Sequence, residues 1–111
     1  MEARLPTHLE IAGIIRSVQA AGGFATVIEK GERDAGTILI LTIENGRNAR
    51  LWERMPQLDG TRVFEVTKSQ DPEKLHEINE YLARRRAQDS DIWILELDIA
   101  DPERFVAAQH N

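Results

Sequence analysis

The sequence predicts an α+β domain with the element order α-β-β-β-β-α-β-α, built as a two-layer sandwich. In that expectation an antiparallel meander sheet carries the two main helices on one face. Three observations lead there. Apolar residues recur at helical spacing in a stretch near residues 8–21 and again after Asp71. Strand-like runs rich in β-branched and aromatic residues fill most of the remaining chain, separated by Gly, Pro and Asn-Gly signals. The composition, 41% hydrophobic and 30% charged over 111 residues, is that of a globular chain and fits one domain across residues 1–111.

The first helix is expected from about residue 8 to 21. Thr7-His8-Leu9-Glu10 reads as a capping box, Ile11, Ile14, Ile15 and Val18 form one apolar stripe, and Gly22-Gly23 supplies a C-terminal cap. A strand from Phe24 to Lys30 ends at Gly31, and residues 32–36 form a turn. Thr37 to Glu44 is apolar on both faces and belongs in the middle of the sheet. Asn45-Gly46 suits a tight hairpin because both residues tolerate positive φ. Further strands are expected over 48–55, closed by Pro56, and over 61–67 after the Asp59-Gly60 turn.

Asp71-Pro72-Glu73 has the chemistry that opens a helix, an acidic cap followed by a first-turn proline. The stripe of this second helix is narrow: Leu75, Ile78 and Leu82, with Tyr81 beside it. Residues 91–99 form the last strand, again apolar on both faces, and are expected to lie beside the 37–44 strand. Asp101-Pro102-Glu103 then opens a short helix to about Gln109.

Composition narrows the chemistry. The chain has no cysteine, which excludes disulfides, thiolate metal sites and cysteine nucleophiles. No apolar run approaches a membrane span and no signal-peptide core is present, so cytoplasmic location without membrane association is expected. A net charge of −5 argues against general affinity for polyanions. No cofactor is expected.

Several groups of residues could still carry function. Asp89, Asp91, Glu96 and Asp98, with Asp101 after them, offer the hard oxygen ligands that magnesium or calcium prefers. The plainer reading is a turn, a solvated strand end and a helix cap, since the spacing lacks an EF-hand's pattern. In an extended strand Glu96 and Asp98 share a face with Ile92 and Ile94, opposite Trp93, Leu95, Leu97 and Ile99. Arg84, Arg85 and Arg86 could contact phosphate or carboxylate groups, and would join Arg47, Arg50 and Arg54 in a basic surface if those regions met. Cations at a helix C-terminus also favour the dipole. Trp52 and Trp93 lie within apolar strands, where a core role is usual, and either would become a partner contact if exposed. Gly22-Gly23 and Asp34-Ala35-Gly36 fit no phosphate-binding fingerprint. His8, His76 and His110 have no metal-binding spacing and no orienting partner in the sequence.

Ala21-Gly22-Gly23-Phe24-Ala25, the stretch from Gly31 through Asp34-Ala35-Gly36, and Asp89-Ser90-Asp91-Ile92-Trp93-Ile94-Leu95-Glu96 together carry a resemblance. They resemble a family of short, mainly alphaproteobacterial proteins known as a domain of unknown function. Ser90 stands where that family's Asp-Pro-Asp-φ-Trp pattern has proline. The resemblance spans most of residues 4–100. It implies a small α+β fold and a bacterial cytoplasm, and it brings no activity.

The functional expectation is a non-catalytic binding or regulatory module with a protein partner, a second copy included. The alternatives are a small enzyme or ligand binder using the carboxylates of residues 89–98, and nucleic-acid binding through Arg84–Arg86.

Overall fold

A computed structural model describes residues 5–74 and 76–106 and shows the expected order of elements. Helix α1 (Thr7–Ala20) precedes β1 (Phe24–Glu29), β2 (Ile38–Glu44), β3 (Arg47–Pro56) and β4 (Arg62–Ser69). Helix α2 (Glu77–Gln88), β5 (Trp93–Asp98) and the short α3 (Glu103–Val106) follow. The strands form one mixed sheet, ordered β1-β5-β2-β3-β4. Strand β5 is antiparallel to β1 and parallel to β2, the neighbour that its two-sided apolar character predicts.

That insertion corrects the antiparallel meander. Only β2, β3 and β4 follow one another as neighbours, and β1 is displaced to the edge by β5. The residues between β1 and β2 cross the start of β5 instead of closing a hairpin. Glu32 N–H donates to Asp91 O at 3.0 Å and Trp93 N–H to Thr37 O at 2.7 Å. The Asn45-Gly46 hairpin forms as expected, with φ of 54° and 75°.

The two-layer sandwich is corrected as well, because α1 and α2 pack on opposite faces. Ile11, Ile14 and Val18 of α1 share a core with Ile38, Ile40, Trp93, Leu95 and Leu97. Ile78 and Leu82 of α2 share the other with Leu39, Leu41, Leu51 and Ile94. The cause is the alternation within β2 and β5. A fully buried leucine or isoleucine contributes roughly 1.5–3 kcal/mol relative to an exposed one. Helices on one face alone would leave Leu39, Leu41 and Ile94 in water, so each face takes its own cover.

The helix ends follow local and tertiary demands in turn. At the C-terminus of α1, Gly22 adopts φ 88°, and Gly22 and Gly23 N–H groups donate to Gln19 O at 3.0 Å and Val18 O at 2.9 Å. The capping box at the other end does not form. Pro6 stands at the cap, and Thr7 and His8 N–H donate to Asp34 O and Arg33 O at 3.1 and 2.9 Å. Thr7 Oγ1 donates to Gly36 O at 3.1 Å, and Glu10 pairs with Arg54. Tertiary partners replace both halves of the local motif. Helix α2 begins later than expected, since Asp71 forms a turn in which its Oδ1 accepts from Glu73 N–H at 2.9 Å. Leu75 of the expected stripe, and the expected extension of α3 past residue 106, lie outside the described residues.

Candidate functional site

The sheet has two edges, β1 and β4, and they differ in chemistry. An open edge strand presents unpaired N–H and C=O groups, and charged side chains along it discourage further pairing. Strand β4 carries Arg62, Glu65 and Lys68. From Phe24 to Ile28, β1 reads Phe-Ala-Thr-Val-Ile, with no charge. Phe24 is 75% exposed, Val27 40% and Ile28 38%. Ile28 is the extra residue of a bulge, because Val27 opposes Leu95 while Glu29 opposes Ile94.

The turn before β1 aims Phe24 at solvent. Gly23 sits so close to Ile99 that a Cβ there would come within 2.8 Å of the Ile99 Cβ. This holds the chain against β5 and starts β1 with Phe24 opposite Asp98. Ala25 and Val27 oppose Leu97 and Leu95, on the α1 face, whereas Phe24 and Thr26 oppose Asp98 and Glu96 on the other. The α2 core takes no residue from β1. An open strip of Phe24, Thr26, Glu96 and Asp98 therefore continues the sheet past the helix. At its Phe24 end lies a hollow of about 340 Å³, lined among others by Asp98, Asp101, Arg104 and Phe105.

The residues singled out in the sequence fall elsewhere, with the exception of Glu96 and Asp98. Trp52 and Trp93 are 7% and 4% exposed, so the exposure that would make either a partner contact is missing and both take the usual core role. Their indole N–H groups are satisfied internally, Trp52 by Thr42 Oγ1 at 2.8 Å and Trp93 by Glu32 O at 2.6 Å. The carboxylates do not converge on a metal. Asp89 and Asp91 precede β5 and Asp98 ends it, so the strand holds them roughly 20 Å apart at about 3.3 Å per residue. Asp89 Oδ1 accepts from Asp91 N–H at 2.8 Å and Asp98 Oδ1 from Asn45 N–H at 2.9 Å, the turn and strand-end roles. Among the described residues no group of three or more acidic or histidine side chains could hold a metal ion.

The three arginines diverge around α2. Arg85 reaches the sheet, where its Nη1 donates to Glu53 Oε1 and, at 2.7 Å, to the Tyr81 hydroxyl. Arg86 Nη2 donates to Glu29 Oε2 at 2.9 Å, and Arg84 is exposed beside the Tyr81 ring. Arg50 and Arg54 lie on the α1 side of β3, in line with Trp52, with Arg50 bound to Glu103 at 3.0 Å. Arg54 and Arg85 do come together at one cleft, but each faces a carboxylate there, Glu10 and Glu53, and Arg50 and Arg86 are paired as well, which argues against a basic nucleic-acid surface.

Sequence reasoning missed the network around Glu53. Thr67 Oγ1 donates to Glu53 Oε2 at 2.6 Å and the Tyr81 hydroxyl donates to it at 3.0 Å. Burial pushes the Glu53 carboxyl up, but the bonds from Thr67, Arg85 and Tyr81 and the charge of Arg85 outweigh it and hold it below the ordinary range. The spacing of Tyr81 and Arg85, four apart on one helix face, is the signal that could have found this network. A cleft of about 360 Å³ nearby is lined by Glu10, Glu53, Arg54, Arg62 and Arg85, among others. Two of its arginines face carboxylates in it, Arg54 with Glu10 and Arg85 with Glu53. His8, half-buried at the start of α1, has its Nδ1 3.1 Å from Arg33 O; His76 is exposed, and His110 is outside the described residues. Among the described residues no helix is long and apolar enough to cross a membrane.

Comparison with known proteins agrees with the family resemblance. Residues 5–107 match the family described as "Protein of unknown function (DUF1491)". The fold is similar to the crystal structure of a DUF1491 family protein from Caulobacter crescentus CB15, with 31% identity and a TM-score of 0.79. That match covers 92% of this chain and 94% of the other. A solution structure of a protein from A. tumefaciens is 30% identical with a TM-score of 0.76, over 95% of this chain and 94% of that one. No curated protein matches the chain.

Proposed function

The chain belongs to the DUF1491 family of proteins of unknown function, and on that premise we propose that it is a non-catalytic, cytoplasmic protein-binding module whose partner adds a strand at β1. The observation that carries this reading is the contrast between the two sheet edges. The β4 edge is charged, whereas the β1 edge is uncharged from Phe24 to Ile28 and exposes three large apolar side chains. Main-chain groups along such an edge supply affinity, and alternate side chains supply selectivity. The internally paired arginines and the separated carboxylates support a binding role over a reaction.

Photo-crosslinking tests the assignment. The full chain, expressed in the cells it comes from, carries a benzophenone amino acid at position 24 or at position 65 on β4. A discrete adduct from position 24 and none from position 65 is expected. Adducts from position 65 alone, or from neither position, contradict the β1 assignment.

A further inference from the structure

We infer that the β1 edge receives an extended segment of another protein in which lysine or arginine alternates with apolar residues; this rests on the edge-strand reading and adds the chemistry of the partner. An added strand alternates its side chains between the two faces of the sheet. On the α1 side they meet Val27 and Ala25, where apolar groups fit. On the other side they meet Phe24 and Thr26, and beyond these the carboxylates of Glu96 and Asp98.

Reach favours a long cation on that side. Strand β5 lies two strand spacings from an added strand, about 10 Å. Thr26 is short, so a lysine or arginine laid across it extends toward Glu96. At the Phe24 end a cation can stack on the exposed ring and enter the hollow that Asp98 and Asp101 line. The hollow's own cation, Arg104, lies 5.9 Å from the Phe105 ring centre. No ion pair is made by Glu96, Asp98 or Asp101 among the described residues. The chain's net charge of −5 also steers a basic segment toward it.

A second copy fits less well. Its β1 would bring Phe24, Thr26 and Glu29 to the acidic side and no cation. Lys30 lines a different hollow with His8 and Trp93, and Trp93 belongs to the α1-side core. Charge complementarity therefore selects a basic partner over self-pairing.

The test uses the full chain and two fluorescein-labelled heptapeptides, one alternating lysine with valine and one alternating glutamate with valine, read by fluorescence anisotropy. The lysine peptide is expected to bind at least about tenfold more tightly, a difference of 1.4 kcal/mol. Glu96→Gln should weaken it about twofold to fivefold, the range of an exposed ion pair, and Phe24→Ala should weaken it further. Circular dichroism confirms that both variants are folded. Equal binding of the two peptides would overturn the cationic partner and leave the edge strand standing. Lysine-peptide binding unchanged by both substitutions would mean non-specific attraction and would also overturn it. If neither peptide binds while position 24 still cross-links in cells, the partner chemistry is wrong and the edge assignment is not. Self-association seen by sedimentation and lost in Phe24→Ala would replace the basic segment with a second copy.

Discussion

Trp52 Nε1 donates a hydrogen bond to Thr42 Oγ1 at 2.8 Å across adjacent strands, and Thr42 is completely buried. The threonine hydroxyl thus satisfies the polar end of an indole whose remaining surface packs in the α1-side core. A buried donor left without a partner costs about 1–3 kcal/mol. Thr42→Val keeps the side-chain shape and removes the acceptor. It is expected to lower unfolding free energy by about that amount, read from the urea midpoint with m unchanged.

Glu53 links pH to stability. Its folded pKa lies below the ordinary value of 4.5, so the unfolded chain takes up the proton at higher pH than the folded one. The stabilisation is complete above about 4.5 and is lost as pH falls through the folded value. Glu53→Gln should cost roughly 1–2 kcal/mol at neutral pH, screened because Arg85 is partly exposed. The gap between the two proteins should narrow as pH falls below 4.5. Urea titrations at several pH values check this; a gap that widens on acidification would contradict it.

Gly31 and Gly36 both lie against the backbone of Asp91, where an added Cβ would overlap the Asp91 carbonyl oxygen. The 30–37 connection crosses β5 at this point, and glycine permits the close approach. Gly31→Ala should destabilise by about 1–3 kcal/mol or more through overpacking. Thermal melts of Gly31→Ala and of Gly13→Ala, where a Cβ meets nothing within 4 Å, make the comparison. A lowered Tm is expected for the first alone.

Much of the fold was legible because patterning within single segments determines it. The two-sided apolar character of residues 37–44 and 91–99 placed β2 and β5 together in the interior of the sheet. The same observation also requires a helix on each face, since two helices on one side leave Leu39 and Leu41 uncovered. The displacement of β1 was less legible. Nothing local to Phe24–Glu29 shows that a strand near the C-terminus will separate it from β2. The candidate site was hidden for the same reason. Phe24 reads as an ordinary strand residue until the sheet order makes β1 an edge, whereas Trp52 and Trp93, the residue types most common at interfaces, are core.

Phe24 should contribute little to folding. Substitutions at exposed positions usually change stability by no more than about 0.5 kcal/mol, so Phe24→Ala should melt with the parent protein while losing partner binding. A large fall in Tm would assign the ring a structural role instead.

Amide hydrogen exchange on the full chain, alone and bound to the protein captured through position 24, shows directly whether β1 is the surface a partner joins. A strand added at the edge must satisfy outward amides of β1 and slow their exchange. New protection should concentrate in residues 24–28, with the β4 amides unchanged. Protection that appears on β4 or α2 while residues 24–28 exchange as in the free protein would contradict it.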